Sequence, residues 1–480
     1  MSAASEAAAP AASGRGDQAI AAAIALALVL LYAATQQSTY YADARGLLNI
    51  VMSGQWAMHN LAYVPCVHVL RALLAPLVGA DPEPAMRVIS VASGALGTAL
   101  LYLAARRIAL SRSAALAGTA LAGLSPLVWF YATVAEKYAL YYFVCALGLW
   151  FLAGLERRRV LGANALPLAF LLVALWFTHM TGCLWGPALA LIALRGPGGW
   201  RLPRWWWLAP FVGLGGVALW WTLVPSAAFG GSYVGMGVQG LQSAWNFESL
   251  WREFLLPVAM LAPAGIAAWL HGTWQRLSDR AASSAPSLVP GAAALAVLTF
   301  VALIVGLPLA TRGAYYLGAL PWLALLACRA GALCGRVGLA LCALLVVAQA
   351  WLGWRWVHEL DHGYRGEEWI PTLAEELGNR GLVLGLEHWE WVEIMGHSRI
   401  DAVSLRSNQV TLDPGLPSTL DFARGLIDVH RARGHAIVLT RSLVEEPSAR
   451  PLLDGLVARH GPWRAGRRHE YVVLVPGDAR

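Results

Sequence analysis

Thr39–Pro65 reads TYYADARGLLNIVMSGQWAMHNLAYVP and holds a carboxylate, a guanidinium and an imidazole: Asp43, Arg45 and His59. An ionised carboxylate within reach of a hydroxyl can take its proton, so Asp43 is a candidate general base. Asp also caps helices well, and Ala44–Ser53 reads as the helix that Asp43 would cap. The start of the stretch is too polar to cross lipid. Its Tyr and Trp side chains suit the membrane–water interface, where one end of the ring is wet. A plain connecting loop would carry the same residues without the chemistry.

Three further groups have the same character. Glu136 and Lys137 are the only charges in Ser125–Phe143, SPLVWFYATVAEKYALYYF. Glu136 could face Asp43 as a second acid, ligating a divalent metal or holding a sugar. The plainer alternative is an ion pair or an interfacial anchor, with Lys137 extending its ammonium toward water. His179 lies in FTHMTG at the end of an apolar run, and Arg312 lies in LPLATRGAYYLG, just before Tyr315 and Tyr316. Arg offers a planar fork of donors and stays charged, which suits a phosphate at the membrane surface; an ordinary interfacial Arg would look the same.

The elements that must position these groups follow from composition. The chain is 58% hydrophobic and 13% charged, with 23 Trp and a mean hydropathy of +0.55. A soluble domain is less apolar and about 25% charged, so the expected class is an all-α polytopic membrane protein. The +7 net charge does not imply nucleic acid, because the Arg residues sit in short loops where they set topology. Residues 1–17 are Ala/Ser-rich and read as a disordered cytoplasmic N-terminus without a cleavable signal. The cysteines have no metal-like spacing with His and form no disulfide framework.

Apolar runs predict crossings over Ile20–Ala34, Ala85–Ala105, Ala114–Tyr131, Tyr138–Leu155, Ala163–Phe177, Gly182–Leu194, Trp205–Leu223, Leu255–His271, Pro290–Leu309, Ala314–Cys328 and Leu333–Trp351. Leu61–Val78 carries His68, Arg71 and two prolines and reads as a helix lying along the interface. With that helix not crossing, the Arg groups at 106–112, 157–159, 195–204, 276–280 and 329–336 fall in alternate loops. The positive-inside rule makes those loops cytoplasmic, with about eleven crossings and the C-terminus outside. The outward loops then hold Asp43, His59, Glu136, Lys137, His179 and Arg312. Residues 18–356 are the expected transmembrane domain, with a catalytic outer loop over 36–84. Residues 357–480 change to mixed short β-like and helical runs, a small C-terminal α/β extracytoplasmic domain with no phosphate-binding glycine loop.

On these motifs the chain resembles the GT-C class of membrane glycosyltransferases. More closely it resembles the bacterial protein O-mannosyltransferase-like family. MHNLAYVPCV stands for that family's AHPPGYPLY-type loop, WFYATVAEKYAL for its WFYSVVAEVYAL-type turn, and FTHMTG for its GNHLT element. Fainter likenesses run through Ala244–Leu255 and the opening of the C-terminal part. Arg45 and Gly46 stand where the family has Gly and Glu, and Asn60 and Leu61 replace its Pro-Pro.

The resemblance implies an integral inner-membrane hexosyl- or pentosyltransferase. Its donor would be a polyprenyl-phosphate sugar and its acceptor a hydroxyl of a protein, glycan or glycolipid. Membrane lipids would be its other partners, and nucleic acid would not be one. Asp43 would act as base, with inversion at the anomeric carbon, and Glu136 as second acid. Arg45, His59, Tyr63, Lys137, Tyr138, His179, Arg312 and Tyr315 would bind substrate, with Arg312 or Lys137 on the departing phosphate. Two other readings stay open: an inactive scaffold of this class binding lipid or a partner, and a lipid or solute transporter.

Overall fold

A computed structural model describes residues 14–37, 62–79, 81–108, 110–157, 166–196, 199–200, 289–305, 314–333, 335–358, 369–378, 380–387, 400–406, 417–461 and 463–474, with single positions at 44, 47, 48, 51 and 394. The chain divides into two compact units, and residues from Leu360 onward belong to the second.

The first unit is helical. Its first helices are α1 (Arg15–Ala34), α2 (Tyr63–Val78), α3 (Glu83–Arg107), α4 (Arg112–Gly123), α5 (Pro126–Thr133), α6 (Tyr138–Arg157), α7 (Leu166–Thr178) and α8 (Gly186–Leu194). They are followed by α9 (Val289–Val305), α10 (Leu320–Leu333) and α11 (Gly335–His358). Among the described residues, α1, α3 and α6 are long and apolar enough to cross a membrane.

Helix α3 is the central post, packed against α1, α5 and α6. Small residues make this possible. A methyl at Gly94 would lie 2.6 Å from Ala132 Cβ, and one at Gly97 would lie 2.9 Å from the Tyr142 ring. Its charges also match its dipole, with Glu83 in the first turn and Arg106 and Arg107 in the last.

The expected single crossing over Ala114–Tyr131 is instead two helices, α4 and α5, bent by 57°. The cause is local. Ser125 accepts a bond from Val128 N–H at 3.3 Å and so starts a new helix, with Pro126 at its first position. Pro126 has no N–H to continue the helix before it. The run Gly182–Leu194 likewise begins as a 3-10 turn, Met180–Trp185, before α8. Helix α2 matches the expected interfacial segment within two residues. It buries Tyr63, Val64 and Val67 and leaves Val69, Leu73 and Leu77 exposed at four-residue spacing. The runs Trp205–Leu223 and Leu255–His271 lie outside the described residues.

Two polar clusters mark opposite ends of α1, whose length is about 30 Å. At its start, buried Asp17 accepts from Arg112 Nε at 2.9 Å and the Tyr102 hydroxyl at 3.1 Å, and forms an ion pair with Arg106 Nε at 3.2 Å. Beyond its end, Gln37 N–H donates to Thr133 O at 3.0 Å. There Arg87 donates to Gln37 O at 2.7 Å and Gln36 Oε1 at 3.1 Å, and pairs with Glu83 at 2.9 Å.

The second unit contains a five-stranded sheet. Its strands are β1 (Gly381–Glu387), β2 (Asp401–Arg406), β3 (Ala436–Thr440), β4 (Trp463–Ala465) and β5 (Tyr471–Leu474), in the spatial order β2-β1-β3-β5-β4. β1 is parallel to β2 and β3, while β5 is antiparallel to β3 and β4. Alternation sends Leu382, Leu384 and Leu386 to one face, against α13 (Pro417–Ala432), α14 (Arg441–Glu445) and α15 (Arg450–His460). Val383 points to the other face, where Trp369, Ile370 and Leu373 of α12 (Trp369–Glu376) pack on Val438 and Val473.

Glu376 ties α12 to the β4–β5 hairpin. Its carboxylate accepts from the Tyr471 hydroxyl at 2.6 Å, Arg464 Nη1 at 2.6 Å and Arg467 N–H at 3.1 Å. Burial pushes the Glu376 carboxyl up, but the bonds from Tyr471, the Arg467 amide and Arg464 outweigh it and leave it below its ordinary value. A carboxyl lowered by folding adds stability above its unfolded pKa, and that stability is lost as pH falls through the folded value. Glu376→Gln is therefore expected to cost about 1 kcal/mol at neutral pH and little in acid. Hydrogen exchange of the β5 amides in the full chain, corrected for intrinsic rate, reads this. Equal acid sensitivity in the parent and Glu376→Gln would refute it.

Candidate active site

The sequence candidates that fall on described residues converge at the Gln37–Arg87 end of the first unit. The turn Val134–Lys137 joins α5 to α6 there and is held by Ser90 of α3. Ser90 Oγ donates to Glu136 O at 3.1 Å and lies 3.3 Å from Glu136 N. Glu136 is fully buried, and its Oε2 accepts the Lys137 N–H at 3.1 Å. Lys137 is 4% exposed, with Nζ 5.2 Å from the Tyr138 ring centroid.

Next to this turn, the rings of Tyr138, Tyr141 and Tyr315 surround His179. Their centroids lie 5.3, 5.0 and 5.5 Å from the imidazole. Tyr131 extends the cluster, 5.0 Å from Tyr138. His179 starts the Met180–Trp185 turn and caps it, because its Nδ1 accepts Thr181 N–H at 3.2 Å. With Nδ1 an acceptor, the neutral ring carries its proton on Nε2. Tyr315 comes from the 3-10 turn Ala314–Gly318. Gly318 allows that turn to press on α6, because a Cβ there would overlap the Tyr141 hydroxyl and lie 2.5 Å from Phe300. Trp185 Nε1 then donates to Gly318 O at 3.0 Å and locks the two short turns together.

Tyr63 opens α2 and is fully buried. Its helix is joined to the histidine segment by Ala62 N–H donating to Phe177 O at 3.1 Å. The structure therefore brings together Tyr63, Glu136, Lys137, Tyr138, His179 and Tyr315. Asp43, Arg45, His59 and Arg312 lie outside the described residues. Among the described residues, no three His, Cys, Asp or Glu side chains group closely enough to hold a metal ion.

Sequence reading missed Tyr141 and Ser90. Tyr141 stands three residues after Tyr138, a spacing that puts both on one helix face and could have flagged it. Ser90 carried no such signal, since its use depends on which turn meets α3. Chemically, the site offers a buried carboxylate, an ammonium, a tautomer-fixed imidazole and several phenols beside flat aromatic faces. That mixture suits a polyhydroxylated, partly apolar ring.

No family model matches this chain, and no curated protein matches it by sequence. Solved structures do. The Archaeoglobus fulgidus oligosaccharyltransferase, in its complex with Zn and sulfate, gives a TM-score of 0.53 at 12% identity over 93% of this chain and 71% of its own. ArnT from Cupriavidus metallidurans bound to undecaprenyl phosphate gives 0.50 at 14% identity over 98% of this chain and 99% of its own. Apo ArnT gives 0.52 at 14% identity over 96% and 98%. The chain is thus similar along nearly its whole length to membrane proteins of the GT-C class, and it has their fold.

Proposed function

We propose that this protein is a GT-C membrane glycosyltransferase that moves a sugar from a polyprenyl phosphate to an acceptor hydroxyl. The observation that carries the reading is the convergence of buried Glu136, Lys137 and His179 within a ring of tyrosines, at the end of the bundle away from the Asp17–Arg106–Arg112 cluster. Buried charges in membrane segments are costly and usually mark a working site. The shared fold supports the reading, because ArnT was solved with undecaprenyl phosphate bound.

In the proposed reaction Asp43 takes the proton of the acceptor hydroxyl, and the resulting oxygen attacks the anomeric carbon with inversion. The bond to the lipid phosphate breaks, and Arg312 or Lys137 stabilises the departing anion. Glu136 holds sugar hydroxyls, the tyrosine rings and His179 border the sugar, and Arg45 and His59 complete the binding set. Proteoliposomes containing undecaprenyl-phosphate mannose, supplied with membrane proteins and glycans as acceptors, test this against transport. Accumulation of sugar-free undecaprenyl phosphate supports the enzyme, whereas movement of the intact donor across the bilayer without its consumption supports a transporter. Donor binding with neither consumption nor movement leaves the scaffold reading.

The proposed orientation puts Arg106 and Arg112 in the cytoplasm and residues from Leu360 onward outside, in an inner membrane. Trypsin added to right-side-out vesicles is then expected to digest that C-terminal part, and in inside-out vesicles to spare it. The reverse pattern would invert the orientation and move the site to the cytoplasmic face.

A further inference from the structure

We propose that the C-terminal end of α13 is an acid-released latch, closed by His430 against His435 and by His460 against Arg431, and freed when these rings take up protons. The latch is built outward from the helix end. Gly434, at φ 72°, reverses the chain, so that Gly434 N–H donates to Arg431 O at 2.9 Å and His435 N–H to His430 O at 3.0 Å. That turn lays the His435 ring beside His430, with Nδ1 facing Nδ1 at 3.1 Å. One ring donates and the other accepts, so the pair closes only while one Nδ1 is bare. At the end of α15, His460 Nδ1 lies 3.3 Å from Arg431 Nη1. A guanidinium is always charged and can only donate, so His460 accepts and its ring is neutral there.

Acid breaks both contacts. A second proton on the His430–His435 pair sets two N–H groups face to face, both rings then being cations. A proton on His460 removes the acceptor for Arg431 and adds a charge beside it, with Arg459 and Arg424 also near. Three effects oppose release. Asp401, which opens β2, lies 3.9 Å from His430 Nε2, and Asp428 of α13 lies 4.0 Å from His460 Nδ1. Both rings also lie in the last turn of a helix, where its dipole favours a cation. Burial outweighs them, since both side chains are almost fully covered and Arg459 already holds Asp428 at 2.8 Å. Burial, with His435 and Arg433 beside it, keeps His430 below its usual 6.5; burial, with Arg431, Arg459 and Arg424, does the same for His460. Released rings therefore bind protons that closed ones refuse. The latch is at full strength above about pH 6.5 and weakens as pH falls below it. It does not rest on the transferase reading. In the proposed orientation, acid outside the cytoplasm reaches it directly.

Hydrogen exchange of the Arg433, Gly434 and His435 amides tests this in the full-length protein in nanodiscs, corrected for intrinsic rate. All three amides donate to carbonyls of the helix end. Each proton taken up contributes up to about tenfold per pH unit to opening, so opening is expected to rise by about tenfold or more from about pH 7.5 to about pH 5.5. The β1 amides should stay protected. The Glu376 carboxyl titrates below its usual 4.5 and is silent in this interval. His435→Asn alters a half-buried side chain and removes the imidazole facing His430, so its rise should be smaller than the parent's. His430→Asn combined with His460→Asn should open equally at both pH values. If that double variant does not fold, the parent and His435→Asn decide. A flat profile in the parent overturns the latch, as does a rise in His435→Asn equal to the parent's or a rise kept by the double variant. A rise shared by the β1 amides also overturns it, because acid would then be loosening the whole unit.

Discussion

Asp43→Asn is expected to fold, insert and bind the donor lipid while sugar transfer falls by about 10²-fold or more. Asn keeps the size of Asp and most of its capping ability, but it cannot accept the proton of an attacking hydroxyl. The assignment rests on an acid just beyond the first crossing, in a loop that the Arg distribution assigns to the outer side, and on the resemblance of that loop to one that keeps an acid there. Asp43→Glu should retain part of the activity, limited by a displaced carboxylate. Initial rate at saturating donor is the measurement, with melting temperature as the control for folding. Parental activity in Asp43→Asn would make Asp43 a helix cap and Glu136 the first candidate base.

Arg312→Ala should weaken donor binding by about 10- to 100-fold, the range for losing a hydrogen-bonded charge. Arg312→Lys should lose less, because it keeps the charge and gives up only the planar fork. Arg312 precedes by two residues the turn that carries Tyr315, whose ring lies 5.5 Å from His179. The readout is affinity for undecaprenyl phosphate. Unchanged affinity in Arg312→Ala would remove it from the site and leave Lys137 as the phosphate ligand.

The membrane class and most helix positions were legible because hydropathy reports directly on what lipid tolerates. The Tyr63–Val78 helix was legible from its apolar run, and its proposed place along the interface rests on His68, Arg71 and two prolines. The break at Ser125–Pro126 was missed although Ser before Pro is a helix-start signal, because the apolar run continues unbroken across it. In the second unit, strands β1, β3 and β5 showed as β-branched or leucine-rich runs. Strand β4 has three residues, and β2, DAVSLR, has charged ends and an interior serine that mask its apolar positions.

The site was legible as a set of residue types at helix ends but not as an arrangement. That Glu136 and His179 share one cluster depends on Gly318 admitting the Tyr315 turn against Tyr141, and on Ser90 receiving the Glu136 backbone. Such approaches are set by packing between segments distant in sequence, so local pattern carries no trace of them. The Asp17 cluster shows the same limit. Arg106 and Arg112 read as topology signals, and their shared carboxylate lies in a stretch that read as disordered.

The most direct test of the account is transfer of labelled sugar by the purified protein in nanodiscs. Undecaprenyl phosphate bearing [14C]mannose is supplied with membrane proteins and glycans as acceptors, and the label is followed between the organic and aqueous phases. The account predicts that label leaves the lipid for an acceptor, that undecaprenyl phosphate appears in equal amount, that the new linkage has the inverted anomeric configuration, and that Asp43→Asn suppresses all three. Label that stays on the lipid with intact, folded protein and saturating donor would contradict it.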